Sequence, residues 1–209
     1  MTNLRFQSHL FWGSHSPLSA LFGAGLIIMA SSRFAFALVC AAALIWVYGL
    51  TALIFSSARK IMPSRGRMVI LLFLSAFICG IFMLVASLFN PLLILGTSFF
   101  LFLVPPCCLG SGYFEAAGSE ETIGAVSRAL FEAITLSAII LALALIREPL
   151  GMGTLSLPGG AQGMVELFNS RETDEFVFAR IFSVSSGGLL LLGYVTAMYR
   201  YFRGKFGHS

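Results

Sequence analysis

Charge is what this sequence has least of. Thirteen Lys and Arg and nine Asp and Glu make up 11% of its 209 residues, where a soluble domain carries about 25%. Apolar residues account for 58%. That leaves too little polar side chain to cover a water-facing globule, and a soluble fold is excluded. The spacing of the charges is more informative still. No Asp, Glu, Lys, Arg or His occurs in residues 68–114, 34–58 or 181–199, runs of 47, 25 and 19 residues. About 20 apolar residues cross a bilayer as a helix, so the longest run holds two spans joined by a tight turn. Asn90-Pro91 is the place for it, because Pro ends one helix and readily starts the next.

Other features are missing too. The four cysteines, Cys40, Cys79, Cys107 and Cys108, all lie in apolar stretches, which argues against an extracellular disulfide framework. Arg5, His9 and His15 precede the first apolar run and no small-residue cleavage site follows it, so that run is expected to stay as a span rather than leave as a signal peptide. There is no nucleotide-binding glycine loop, no flavinylation motif and no soluble domain, so no catalysis is expected of this chain alone. The net charge of +4 is explained by membrane topology and does not call for a nucleic-acid partner. The lipid bilayer is the first partner to expect.

The apolar runs predict an all-α integral membrane protein, one domain over residues 1–209, with six helices near 17–31, 34–57, 67–88, 91–109, 122–146 and 179–201. An even number puts both termini on one side. That side holds Arg5, Arg59, Lys60, Arg65, Arg67, Arg128, Arg200, Arg203 and Lys205; the other holds Arg33, Arg147, Arg171 and Arg180. The positive-inside rule then places both termini in the cytoplasm, and the membrane expected is the cell's inner (cytoplasmic) membrane.

Ser16-Pro17-Leu18 opens the first span with Gly23 following, and Asn90-Pro91-Leu92 opens the fourth with Gly96 following. Two repeats of three spans (16–89 and 90–203) would run in opposite directions, an arrangement that points to a site near the midplane. The plainer alternative is that Pro suits the first turn of any helix. The break in the fourth span, Pro105-Pro106-Cys107-Cys108 with Gly110 and Gly112 beyond, tips the balance toward the repeat. Irregular backbone at membrane depth survives only inside protein or around water.

Thiolate sulfur suits iron–sulfur clusters, zinc or copper, but two adjacent cysteines cannot fill four ligand positions. Buried Cys also serves simply as a small hydrophobe, which is the expectation for Cys40 and Cys79. Ser119, Glu120 and Glu121 read as the capped first turn of the fifth helix. Arg128 and Glu132 are four apart and are expected to pair near the interface. Arg147 reads as an interfacial anchor at a span end, followed by a glycine-rich, acidic extramembrane stretch over residues 151–175 that is expected to pack on a partner.

Together these residues resemble the small six-helix membrane subunits of the Rnf and Nqr complexes, the subunit called E in Rnf and D in Nqr. Those complexes are ion-translocating ferredoxin:NAD and NADH:quinone oxidoreductases. The family's Asn-Cys step, with Gly four residues after the Cys and then an acid and an Ala-rich turn, is met by Cys108, Gly112, Glu115 and Ala116-Ala117; Cys107 stands where Asn would be. The family's Arg-Glu-(Leu/Ile)-Leu-Gly-x-Gly-x-Leu is similar to Arg147-Glu148-Pro149-Leu150-Gly151-Met152-Gly153-Thr154-Leu155. Ser16-Pro17, the basic loop near Pro63 and the last helix from Gly193 to Arg200 also fit. Most of the chain is covered, with the specific matches between residues 108 and 155.

The resemblance implies two inverted three-helix repeats with the first and fourth helices broken near the midplane. It also implies pairing with a homologous six-helix subunit, beside flavin and iron–sulfur subunits. Each of the pair would give two cysteines, one per broken helix, to a shared 2Fe–2S cluster that passes electrons across the membrane, coupled to Na⁺ or H⁺ movement. Cys108, and with it Cys107, are the ligands this implies here. The sequence departs from the pattern at the first broken helix, where Gly25 in Phe22-Gly23-Ala24-Gly25-Leu26 occupies the expected cysteine position. Three outcomes follow: Cys107 replaces the missing thiolate, a partner supplies three ligands, or the cluster is absent. The alternative function is therefore a cluster-less homologue acting as a scaffold or small transporter. No acid is placed deep in a span by this reading, which argues against a cation-coupled site within the chain.

Overall fold

A computed structural model describes residues 17–58, 66–110, 122–160, 163–169, 184, 186–194 and 197. They form helices α1 (Pro17–Ala30), α2 (Phe34–Ala58), α3 (Arg67–Phe89), α4 (Pro91–Leu101), α5 (Val104–Gly110) and α6 (Thr122–Met152). A hairpin of strands β1 (Thr154–Pro158) and β2 (Met164–Asn169) follows, and α7 covers 186–194. Three of the described helices are long and apolar enough to cross a membrane: Phe34–Ala58, Arg67–Phe89 and Ile123–Met152. Their outward faces carry large apolar side chains, among them Phe73, Phe77, Leu84 and Leu88 on α3, as a chain solvated by lipid requires.

The core is the pairing of α2 with α6, the most extensive helix contact among the described residues. Its cause is legible in α6, where Ala125, Ala129, Ala133 and Ser137 recur every fourth residue and are all buried. Positions four apart share a helix face. Small residues on that face let two backbones approach, which is how membrane helices associate when lipid gives them no hydrophobic drive. The approach is close enough for Ser137 Oγ to donate to the Ala41 carbonyl of α2 at 3.3 Å. Further along, a Cβ on Gly49 would stand 3.2 Å from Leu130. The two contacts fix an antiparallel register.

The chain turns from α3 to α4 through a single residue, Asn90. Its Oδ1 accepts from Leu93 N at 3.3 Å, capping α4, and Pro91 fills a first-turn position whose N–H has no partner in any helix. The fourth span is then interrupted as expected, but at Phe102–Leu103 rather than over Pro105–Cys108. A prolyl nitrogen carries no hydrogen, so Pro105 and Pro106 cannot accept bonding duty for the carbonyls four residues back, Leu101 and Phe102. The helix stops at Leu101 and restarts at Val104, with both prolines in the new first turn.

Three expectations are corrected. First, α1 is one unbroken helix through Gly23 and Gly25; a glycine costs about 1 kcal/mol of helix propensity but keeps its N–H, so the ladder survives. Second, α6 passes through Pro149 to Met152 and ends at Gly153, whose φ of 65° is the left-handed conformation of a helix C-terminus. Third, the architecture is not wholly α. Beyond Gly153, β1 and β2 pair antiparallel with a bulge at Leu155/Ser156.

The hairpin gathers the helix connections at one end of the bundle. Ser156 Oγ accepts from Ala35 N at the start of α2, at 3.4 Å. Asn90 Nδ2 donates to the Gly163 carbonyl at 2.9 Å. The α1–α2 turn, the α3–α4 turn and the end of α6 therefore share one end. Within the described residues, the glycine-rich stretch beyond α6 packs on this chain's own helices. Gly112, Glu115, Ala116, Ala117, Ser119, Glu120 and Glu121 lie outside the described residues, as do Ser16, the loop near Pro63 and Arg200.

Candidate functional site at the helix break

The interruption of the fourth span leaves a carbonyl deep in an apolar core. Leu101 O would bond to residue 105, which is Pro. Cys79 of α3 supplies the missing donor, its thiol reaching Leu101 O at 3.3 Å. Unpaired carbonyls in such surroundings cost several kcal/mol in lipid, so Cys79 is more than the small hydrophobe its sequence context suggested. It is a part of the break.

The two cysteines after the break diverge, as neighbours on a helix must when each residue turns by about 100°. Cys107 Sγ lies toward α1, 3.9 Å from where a Cβ on Gly23 would stand. Gly25 meets Leu103 of the break instead, at 3.7 Å by the same measure. The glycines of α1 and the break of the fourth span thus face each other. Cys108 is wholly buried and shares its core with Tyr48 of α2 and Cys79 of α3. Tyr48, wholly buried, belongs to the same core cluster. Cys40 lies beyond Cys79 in the same core.

A cluster shared with a partner chain would draw on thiolates that this chain presents to that partner. Cys107 and Cys108 are 6% and 0% exposed with no partner present to cover them, and they point to different helices. Gly25 adds no ligand. Among the described residues, no three His, Cys, Asp or Glu side chains converge as metal ligands do.

The α2–α6 register sets Glu132 level with Trp46 and Val47, about 20 Å from the start of α2. One of its carboxylate oxygens, Oε2, is fully enclosed. Its level along α2 was legible only once the two contacts had fixed the register.

Arg147 and Glu148 are likewise not surface anchors. They are 3% and 1% exposed. Glu148 Oε2 accepts from Phe34 N at 2.6 Å, capping the N-terminus of α2. Arg147 donates from one guanidinium nitrogen to the Ile28 carbonyl and to Ser31 Oγ at the end of α1, and from the other to the Val184 carbonyl at 3.1 Å. An anion at a helix N-terminus and a cation at a helix C-terminus are the charges a helix dipole favours. The Arg-Glu step ties the end of α6 to both sides of the α1–α2 turn.

A comparison with curated proteins returned no match. The family model described as "Rnf-Nqr subunit, membrane protein" matches residues 6–196. That span takes in the breakpoint cysteines, the Arg-Glu step and every described helix, and the chain belongs to the Rnf-Nqr family of membrane-protein subunits.

Proposed function

We propose that this chain is a multi-pass subunit of an Rnf/Nqr-type redox-driven ion-translocating complex, with a structural and ion-path role and no cluster of its own. The observation that carries membership is the family match over residues 6–196. The proposed arrangement is six spans in two inverted repeats, with both termini cytoplasmic. It is supported by the three connections gathered at the hairpin end and by the greater number of basic residues assigned to the opposite end. A homologous six-helix subunit and flavin and iron–sulfur subunits are the proposed partners.

Against electron passage through a shared 2Fe–2S cluster stand Gly25 at one ligand position and the burial of Cys107 and Cys108 within this chain's own core. The test is to purify the complex with the wild-type chain and with Cys107→Ser and Cys108→Ser. Iron content and the electron paramagnetic resonance spectrum should be the same in all three. Loss of a 2Fe–2S signal in Cys108→Ser alone would restore the cysteine as a ligand and overturn the cluster-free reading.

A further inference from the structure

We propose that Arg147 and Gly188 form a latch that seats the last described helix, α7, against the end of α1. The inference goes beyond the subunit reading and rests on contacts within this chain. The guanidinium bonds two elements at once. Its Nη1 donates to the Ile28 carbonyl and, at 3.1 Å, to Ser31 Oγ at the end of α1. Its Nη2 donates to the Val184 carbonyl at 3.1 Å, in the turn that leads into α7. That same carbonyl accepts from Gly187 N at 3.0 Å and from Gly188 N at 3.2 Å. The first turn of α7 therefore closes on the atom that Arg147 holds.

Gly188 is the other half of the latch. It is buried, and a Cβ there would stand 3.0 Å from Arg147 Nη1, 3.1 Å from Arg147 Cζ and 3.3 Å from Ile28 Cγ2. The bare backbone of α7 thus lies against the guanidinium and against α1 together. Nothing in the local conformation asks for glycine at this position. Gly188 is helical and is not among the glycines with positive φ, and alanine is the better helix former. Space is what asks for it.

Contacts that short require a neighbour to give way. The tip of an arginine ordinarily swings aside, because its stem turns freely. This one is pinned from both sides, and a shift toward either element loosens its bonds to the other. The planar fork is what makes this possible; a lysine ammonium is a point charge on a flexible stem and does not hold the same two directions. When Arg147 is removed, Val184 O keeps its N–H donors from Gly187 and Gly188. So α7 leaves α1 without unwinding, and the latch governs how the helix is seated rather than whether it forms.

The test is a double-mutant cycle on the full chain in lipid nanodiscs. With Arg147 present, Gly188→Ala is expected to lower the thermal midpoint. In the Arg147→Ala background the same substitution is expected to raise it, because the collision is gone and alanine favours the helix. A change of the same sign and size in both backgrounds would overturn the pairing. Seating is read separately by N-ethylmaleimide labelling of Ile28→Cys, with the adduct located by peptide mass spectrometry. Ile28 is 8% exposed, and the new thiol should react at least tenfold faster in Arg147→Ala and in Arg147→Lys than with Arg147 intact. Equal rates in all three would show α7 seated without the guanidinium and overturn the latch. If Arg147→Ala does not fold, Arg147→Lys carries both measurements with the same expected signs. Whether redox subunits copurify with the chain bears on the subunit reading and on neither of these results.

Discussion

Arg147 and Glu148 show how much a single pair of side chains decides here. Each satisfies backbone groups that a helix end leaves unpaired, and lipid offers no replacement. Replacing Glu148 with Ala strands the Phe34 N–H and should cost about 1.5–3 kcal/mol, the usual worth of a charge-assisted hydrogen bond. Glu148→Gln keeps an acceptor and should lose less. Arg147→Ala removes the donors to the Ile28 and Val184 carbonyls together and should lower the thermal midpoint in detergent more than either. Equal midpoints for Glu148→Ala and wild type would show that the bond to Phe34 contributes nothing. The sequence displayed this dipeptide clearly, yet the ordinary reading of charges at a span end is the interface. What it hid was that the α1–α2 turn comes to meet them. The level of Glu132 along α2 likewise follows from a register set by Ser137 and Gly49.

Among the elements, the hairpin and the broken fourth span carry the most information. The hairpin had a local signal in the alternation Leu155-Ser156-Leu157 and Val165-Glu166-Leu167 around Pro158-Gly159-Gly160, masked by reading the region as a loop. On β1 the polar residues are the buried ones: Thr154 and Ser156 are enclosed, while Val165 and Leu167 of β2 are exposed. Gly163 holds it to α4, with φ at 85° and the place of a Cβ only 3.0 Å from Leu93 N and 3.1 Å from Asn90 Oδ1. Gly163→Ala meets both a left-handed backbone cost of about 1–2 kcal/mol and that collision. It should free the hairpin, seen as faster hydrogen exchange over residues 154–169. At Gly66, also left-handed but with open space around it, Ala should bring only the backbone cost and leave the hairpin unchanged. Asn90→Ala removes both the α4 cap and the bond to Gly163 O, and should lower stability by more than the roughly 1 kcal/mol of a lost cap. Unchanged hairpin exchange in Gly163→Ala would show that its contact with α4 is incidental.

For the molecule as a whole, the three connections at the hairpin end make a topological prediction. In a background where the buried native cysteines are silent, Pro158→Cys and Ser57→Cys should react with a membrane-impermeant maleimide from opposite faces, Ser57→Cys from the cytoplasm. Labelling of both from one face would rule out the six-span arrangement. By itself the sequence determined the solvent, the positions of the main spans and the existence of a break, because these follow from local composition and from the missing N–H of proline. It could not place the break to the residue, keep α1 whole, or carry α6 past Pro149, because those outcomes depend on which distant groups take up the freed bonds. Cys79 takes up Leu101 O, Arg147 closes the end of α1, and the hairpin covers the start of α2. The thiols beside the break were visible from the start, but only packing showed them turned inward, with Glu132 level with the middle of α2. In a bilayer no water stands ready to satisfy a polar group, so tertiary contact decides where each one sits.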